Sequence, residues 1–226
     1  MRATLLLPSA RRFSGTQDTL ARRIGRGDRL EALPEGRDAT LRGCFAFIGT
    51  SIPAAALTRN LDAGDAAGAQ RRRCDPACIM ADAVTLRLVA CGAMSLSDDD
   101  VATLTRSLSP IFGDAGFLLE ASRPDRWYLR CAREARLPAF SSPDDALGDD
   151  LARHLPQGES AARFRALLNE AQIALTQNPL NARRAQRRQS PVNSVWFWGP
   201  GMLPEWVRSR FGQVYSDDEV VVALAA

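Results

Sequence analysis

Ser190-Pro191-Val192-Asn193-Ser194-Val195-Trp196-Phe197-Trp198-Gly199-Pro200-Gly201 is the most sharply punctuated stretch of the chain. Pro191 closes the segment before it, and Val192 to Trp198 is rich in the β-branched and aromatic residues that strands favour. A short strand is therefore predicted from Val192 to Trp198, running into Gly199-Pro200-Gly201. Trp196, Phe197 and Trp198 alternate in direction and cannot all face one side of it. Working outward, Glu159 to Gln177 carries Phe164, Leu167, Leu168, Ala171 and Leu175 along one stripe, the pattern of an amphipathic helix that stops at Asn178-Pro179. A second helix is predicted from about Leu180 to Gln189. Downstream, Pro204 to Phe211 reads as one or two helical turns and Val214-Tyr215 as another strand, and Val220 to Ala226 is an apolar run.

Earlier in the chain, Val84 to Cys91 is a strand with Val84, Leu86, Leu88 and Ala90 on one face. Ser97 then caps a helix carrying Val101, Leu104, Leu108 and Ile111. After turns at Gly113 and Gly116 come two more strands, Phe117 to Ala121 and Trp127 to Cys131. The order strand, helix, strand, strand describes a small α+β subdomain of about 50 residues. Before it, Pro53 to Leu61 is a helix entered through proline, and Ala69 to Arg73 reads as a flexible basic link. Thr4 to Leu7 is a candidate first strand and Thr19 to Ile24 a candidate helix, and the stretch after Ile24 is broken by Gly25, Gly27, Pro34 and Gly36. These signals divide the chain into 1–73, 74–137 and 138–226.

The 226 residues are 46% hydrophobic and 24% charged, enough apolar material for a real core and too much for a disordered tail. All 29 basic residues are arginine, against 26 acidic ones, for a net charge of +3. Abundant arginine beside abundant alanine and aspartate reads as genomic codon bias, so charge alone names no partner. Five cysteines, an odd number, fit reduced thiols in the cytoplasm better than a disulfide framework. Arg11-Arg12-Phe13 has the look of an export signal, but Ser14, Gly15, Thr16, Gln17 and Asp18 come next, where an apolar stretch is required. Apolar runs of seven residues or fewer predict no membrane segment.

Arg183, Arg184, Arg187 and Arg188 stand at i, i+1, i+4 and i+5, within about 140° of one helical face. Such a face is either solvated or able to grip phosphate. Asn181, Asn193, Trp196 and Trp198 lie beside it in sequence, and a helix beginning after Pro179 would offer free amides to an anion. These eight residues are the candidate ligand site, and a phosphorylated small molecule or a protein partner is the expected occupant. Trp196 and Trp198 have a plain core reading as well. Cys74 and Cys78, with Cys91, lack the fourth ligand of a structural zinc and read as inert buried thiols. Asp98-Asp99-Asp100 complements the start of a helix, and Asp144, Asp145, Asp149 and Asp150 read as solvated loop charges. Ser14-Gly15-Thr16 lacks the length and lysine of a phosphate loop.

Several of these stretches also carry a resemblance. Asn169-Glu170-Ala171-Gln172, Asn178-Pro179-Leu180-Asn181 with Arg184, and the box from Ser190 to Gly201 resemble the C-terminal signature of bacterial regulatory proteins of the RpfE type. That family is similar in turn to archaeal-type cofactor-independent phosphoglycerate mutases. Pro53 to Leu57 with Thr58-Arg59, Cys74-Asp75-Pro76, Asp125 to Arg130, and Val214 to Asp218 match as well. The resemblance implies an α/β fold, a partial alkaline-phosphatase-like core with the small α+β subdomain inserted. In the mutases, two divalent ions held by Asp and His ligands activate a Ser or Thr nucleophile.

This chain departs from that pattern. It has Cys78 where the family commonly has histidine, Trp198 where the mutases carry arginine, and a single histidine, His154, which reads as a surface or helix-end residue. Leu7-Pro8-Ser9-Ala10 supplies no aspartate for metal, and the chain stops where relatives continue, as a shortened member or a fragment would. The expectation is a regulatory, non-catalytic relative without a cofactor or catalytic residues of its own. Two rivals stand beside it. One is a phosphomutase or phosphatase using Mg or Mn on Asp75, Asp82 and other carboxylates. The other is a nucleic-acid platform on the strand-helix-strand-strand region, against which its few aromatics, Phe117, Trp127 and Tyr128, argue. Oligomeric state is not encoded in any motif.

Overall fold

The structure, a computed structural model, describes residues 36–135, 137–157 and 159–226 together with the single positions 4, 22 and 26. The strand expected at Thr4 to Leu7, the helix at Thr19 to Ile24 and Ser14-Gly15-Thr16 lie outside the described residues, apart from Thr4 and Arg22. The chain divides into two compact units, Met1–Leu33 and Pro34–Ala226, and every helix and strand from Arg37 onward lies in the second.

In chain order the elements are α1 (Arg37–Arg42), β1 (Phe45–Phe47), α2 (Ala54–Ala63), β2 (Gln70–Ala81), β3 (Leu86–Cys91), α3 (Asp98–Asp114), β4 (Leu118–Arg123), β5 (Arg126–Cys131), the short α4 (Pro143–Ala146), α5 (Glu159–Thr176), α6 (Leu180–Gln186), β6 (Ser194–Gly201), β7 (Val207–Ser209) and α7 (Glu219–Ala225). The fold mixes helices with a five-stranded sheet in which every ladder is antiparallel.

Strand β2 organises that sheet. On one edge its first residues, Gln70 to Arg73, pair with β5 and its last, Ala77 to Ala81, with β3. Arg71 to Ala77 pair with β6, necessarily along the opposite edge. Pro76 falls in the gap between the β5 and β3 pairings, where a residue without an amide hydrogen is tolerated inside a central strand.

Residues 71–79 of β2 are buried, which corrects the expectation of a flexible basic link over Ala69 to Arg73. Three consecutive arginines read as solvated charge, but tertiary pairing and stacking supply each with partners in the interior. The boundary expected between residues 73 and 74 also falls inside this strand, whose neighbours β5 and β6 both come from later in the chain.

Side chains alternate across the sheet. On one face Arg73 and Tyr128 meet Thr58 of α2, and Asp75 bonds to Arg73 and Trp198. On the other, Phe197 packs edge-on against Phe112 of α3 and Phe164 of α5, with Phe140 beside them. The core includes Leu104 and Leu108 of α3, Leu167, Leu168 and Leu175 of α5, and Val195 and Trp196 of β6. Helix α3 opens with the expected cap: the Ser97 hydroxyl accepts from the Asp100 amide, and the Asp100 carboxylate accepts from the Ser97 amide.

Several elements differ from expectation. Pro204 to Phe211 is not helical. Val207 to Ser209 instead pair with Phe45 to Phe47 in a separate two-stranded ladder, a tertiary contact that overrides local preference. Val214-Tyr215 has no regular structure. The final apolar run is helix α7, started by Asp218, which accepts from the Val220 and Val221 amides. Asp150, expected as a solvated charge, caps the short helical turn at 151–153 by accepting from the Ala152 amide, and Ser142 caps α4 by accepting from the Asp145 amide. Among the described residues no helix is long and apolar enough to cross a membrane.

Candidate functional site

Polar side chains gather in two places, around the arginine-bearing helix α6 with its neighbouring asparagines and in a buried network around Asp75. Helix α6 ends at Gln186, so Arg187 and Arg188 lie beyond it and the four arginines do not share one helical face. Arg188 sits in the left-handed region at φ 57°. Its amide donates to Ala185 O, and the Gln189 amide donates to Arg184 O, closing the helix end as a glycine usually does.

Arg184 points inward, 2% exposed, where it donates to the carbonyls of Met94 and Ser190 at 2.7 and 2.8 Å. It ties the helix to two loops and is not available to an external anion. Arg183, Arg187 and Arg188 remain exposed. The helix start is occupied too, since the Leu180 amide donates to Asn178 Oδ1 at 3.0 Å.

The asparagines and tryptophans of the candidate site face inward. Asn181 donates to the carbonyls of Leu175 and Val192 and accepts from the Val192 amide. Asn193 bridges to β2, donating to Ile79 O and accepting from Ile79 N–H. Trp196 donates to Ser141 O at 3.0 Å and Trp198 to Asp75 at 2.6 Å, which gives the core reading to both tryptophans. Of the eight candidate residues, the structure keeps three arginines at the surface and uses five side chains internally.

Asp75 is the centre of the second place. Both carboxylate oxygens are engaged: Oδ1 accepts from Arg73 Nε at 2.9 Å and the Trp127 amide at 3.1 Å, and Oδ2 from the Trp198 indole. Complete burial pushes its pKa up from the ordinary value, against the pull of Arg73, Trp198 and Trp127. Arg73 lies against the Trp198 and Tyr128 rings, 4.8 and 5.5 Å from their centres, and reaches Glu219 at 3.3 Å. Burial opposes its charge, but Asp75, Tyr128 and Glu219 more than offset that and hold the guanidinium charged. Tyr128 donates its hydroxyl to Asp62 at 2.6 Å, and Asp62 in turn takes a two-pronged bond from Arg126. In sequence Asp75-Pro76 is only a weak motif, and nothing local to it signals this network.

The divalent pair that the mutase resemblance implies does not fit these residues. Among the described residues no three His, Cys, Asp or Glu side chains are grouped to hold an ion. Asp75 meets N–H donors on both oxygens, and Asp82 is taken by Arg87 at 2.5 Å and by the Val84 and Thr85 amides. His154 closes a short turn at 151–153 and faces Asp149 at 3.1 Å. Cys74 and Cys78 are buried, burial pushes the Cys74 and Cys91 thiols well above their ordinary value, and it raises Cys131 to about 11. Such thiols have low reactivity.

No family model matches the chain, and no solved structure gives a significant match. Segments of it are similar to curated phosphoglycerate mutases. A probable 2,3-bisphosphoglycerate-independent phosphoglycerate mutase of Geobacter sulfurreducens is 40% identical over 72 residues, 31% of this chain and 18% of that protein. A 2,3-bisphosphoglycerate-independent phosphoglycerate mutase of Methanothrix thermoacetophila is 25% identical over 128 residues, 57% of this chain and 31% of that protein. The corresponding enzyme of Methanosarcina mazei is 28% identical over 81 residues, 36% of this chain and 20% of that protein. This chain is related to phosphoglycerate mutases. It spans about a third or less of the length of the relatives that it matches.

Proposed function

We propose that this chain is a regulatory protein of the RpfE type, a mutase-like relative built on part of an alkaline-phosphatase-like core. In this reading it performs no catalysis, works in the cytoplasm, and recognises a phosphorylated small molecule, or a protein partner, through the exposed arginines Arg183, Arg187 and Arg188. One observation carries the non-catalytic part: Asn181, Asn193, Trp196, Trp198 and Asp75, polar side chains in the segments that carry the resemblance, all bond within the fold. A buried carboxylate or amide so engaged is held by the fold's own partners rather than presented to a reacting group.

Calorimetry tests this on the intact chain. Manganese and magnesium should give no binding heat, whereas 3-phosphoglycerate should bind without metal and lose at least tenfold in affinity when Arg183, Arg187 and Arg188 are all alanine. Metal binding on which phosphoglycerate binding depends, or metal-dependent hydrolysis lost in Asp75→Asn, would overturn the reading in favour of an enzyme.

A further inference from the structure

Strands β1 and β7 form their own two-stranded ladder outside the main sheet, with Ala46 opposite Arg208. Phe45, Phe47 and Val207 pack on the core, and alternation sends Ala46 and Arg208 to the other face, where both are exposed. Just past the ladder two large apolar side chains remain at the surface, Ile48 at 65% exposure and Trp206 at 40%. Three arginines surround them. Arg208 lies over the Trp206 ring at 5.1 Å, Arg210 over Phe211 at 5.1 Å and Arg42 over Phe47 at 5.2 Å.

Among the described residues none of these three arginines pairs with a carboxylate, whereas Arg37, Arg59, Arg71, Arg73, Arg87 and Arg126 all do. Across 42–53 and 200–211 the sequence sets them against a single carboxylate, Glu205. Beside them an open groove of about 350 Å³ runs between residues 48–53 and 200–205, with Ile48, Pro53, Met202, Leu203 and Pro204 in its walls. A Cβ on Gly201 would come within 2.6 Å of Pro53 Cβ, so the two walls meet at contact distance and the groove is preformed.

We infer that this face docks an acidic, extended segment of a partner protein, which seats one apolar side chain in the groove and sets carboxylates against Arg208 and Arg210. The two arginines stand two residues apart, as do alternate side chains of an extended segment. Trp, Met and Arg are the residues that interface centres favour. A guanidinium held on a ring is already ordered, so little freedom is lost when a carboxylate takes its N–H edge. The rings themselves carry guanidinium groups, which favours carboxylates over bases stacked on open ring faces. The surface uses none of the arginines around α6 and stands independently of them.

The probe is a blocked peptide, Glu-Ser-Glu-Ser-Leu-Ser-Glu-Ser-Glu, with binding to the intact chain read at low salt by calorimetry and by the emission of Trp206, the exposed tryptophan beside the buried Trp127, Trp196 and Trp198. The peptide should shift that emission, and its affinity should fall about tenfold in Arg208→Glu with Arg210→Glu, whose urea midpoint should match the wild type. The same peptide with Lys for Glu should bind that variant and not the wild type. Ile48→Ser, or serine in place of the peptide's leucine, should each weaken binding several-fold. No binding at low salt, or binding that the double variant leaves intact, would overturn the surface. Loss on changing Arg183, Arg187 and Arg188 to alanine instead would overturn it while leaving the α6 arginines standing. Tighter binding of oligothymidylate or of phosphatidylserine vesicles than of the peptide would also overturn it.

Discussion

Trp198 and Asp75, 123 residues apart in the chain, share a hydrogen bond of 2.6 Å in which the indole Nε1–H donates to carboxylate Oδ2. The same aspartate holds Arg73, and the ring of Trp198 covers the Arg73 guanidinium at 4.8 Å. Removing the charge of Asp75 therefore strands a buried cation that, among the described residues, keeps Glu219 at 3.3 Å as its counter-charge. Asp75→Asn should cost about 3–5 kcal/mol, read from urea unfolding, and Trp198→Phe about 1–3 kcal/mol. A loss under about 1 kcal/mol in Asp75→Asn would mean that Glu219 suffices.

Arg72 is the opposite case. It is fully buried, stacked 4.5 and 5.0 Å from the Phe164 and Phe140 ring centres, and donates to Pro138 O, while Nε and Nη1 have no partner. Replacing such a charge with an apolar side chain of similar length is commonly neutral or stabilising. Arg72→Met should raise stability by about 1–2 kcal/mol at pH 7. Desolvation brings the Arg72 pKa down to about 10, so above that pH the unfolded chain binds more protons. Arg72 thus makes stability rise with pH beyond about 10, a slope that the difference between wild type and Arg72→Met should isolate.

Gly199 stands at φ 55°, and a Cβ placed there would come within 2.7 Å of Ala54 Cβ. Gly199→Ala combines a left-handed alanine with a clash, for an expected cost of about 2–4 kcal/mol. Ala54→Gly in the same chain should recover only the steric share. A fully restored midpoint would count against backbone strain.

At acid pH the relevant groups are Asp65 and Asp82, each held down to about 2, by the Arg59 and Arg87 guanidinium groups respectively. A carboxyl lowered on folding contributes stability that is present above its ordinary pKa near 4 and lost as pH falls toward about 2. The urea midpoint should fall across that window. Asp65→Asn with Asp82→Asn should flatten it, and an unchanged acid limb would assign the loss to other carboxylates.

Arg188 occupies the left-handed position at the end of α6, a conformation disfavoured by about 1 kcal/mol for a residue with a side chain. Arg188→Gly should stabilise the chain by about 0.5–1 kcal/mol, whereas Arg188→Ala should leave thermal unfolding within about 0.5 kcal/mol of wild type.

What the sequence makes legible is local. The stripe from Phe164 to Leu175 and the Ser97 cap both declare helices within a few residues, and α5 and α3 lie where those signals place them. Arg71, Arg72 and Arg73 cannot be placed that way, because what buries them comes from Glu120, Phe140, Phe164 and Glu219, distant in sequence. Arg184 is hidden for a related reason. Helical spacing groups it with Arg183 and Arg187, but the carbonyls of Met94 and Ser190 turn it inward. The inward bonds of Asn181 and Asn193 are equally invisible, as each depends on which strand or turn the asparagine meets.

Strand β2 receives β5 on one edge and β6 on the other at Arg71 and Arg73. Loop closure over so long an intervening chain is slow, so folding should be governed by non-local pairing rather than by the helices. During synthesis, Arg73 and Asp75 emerge long before Trp198 and Glu219 can cover them. The nascent chain therefore carries an uncapped strand edge until β6 appears, which makes this the stage at which a chaperone would protect it most.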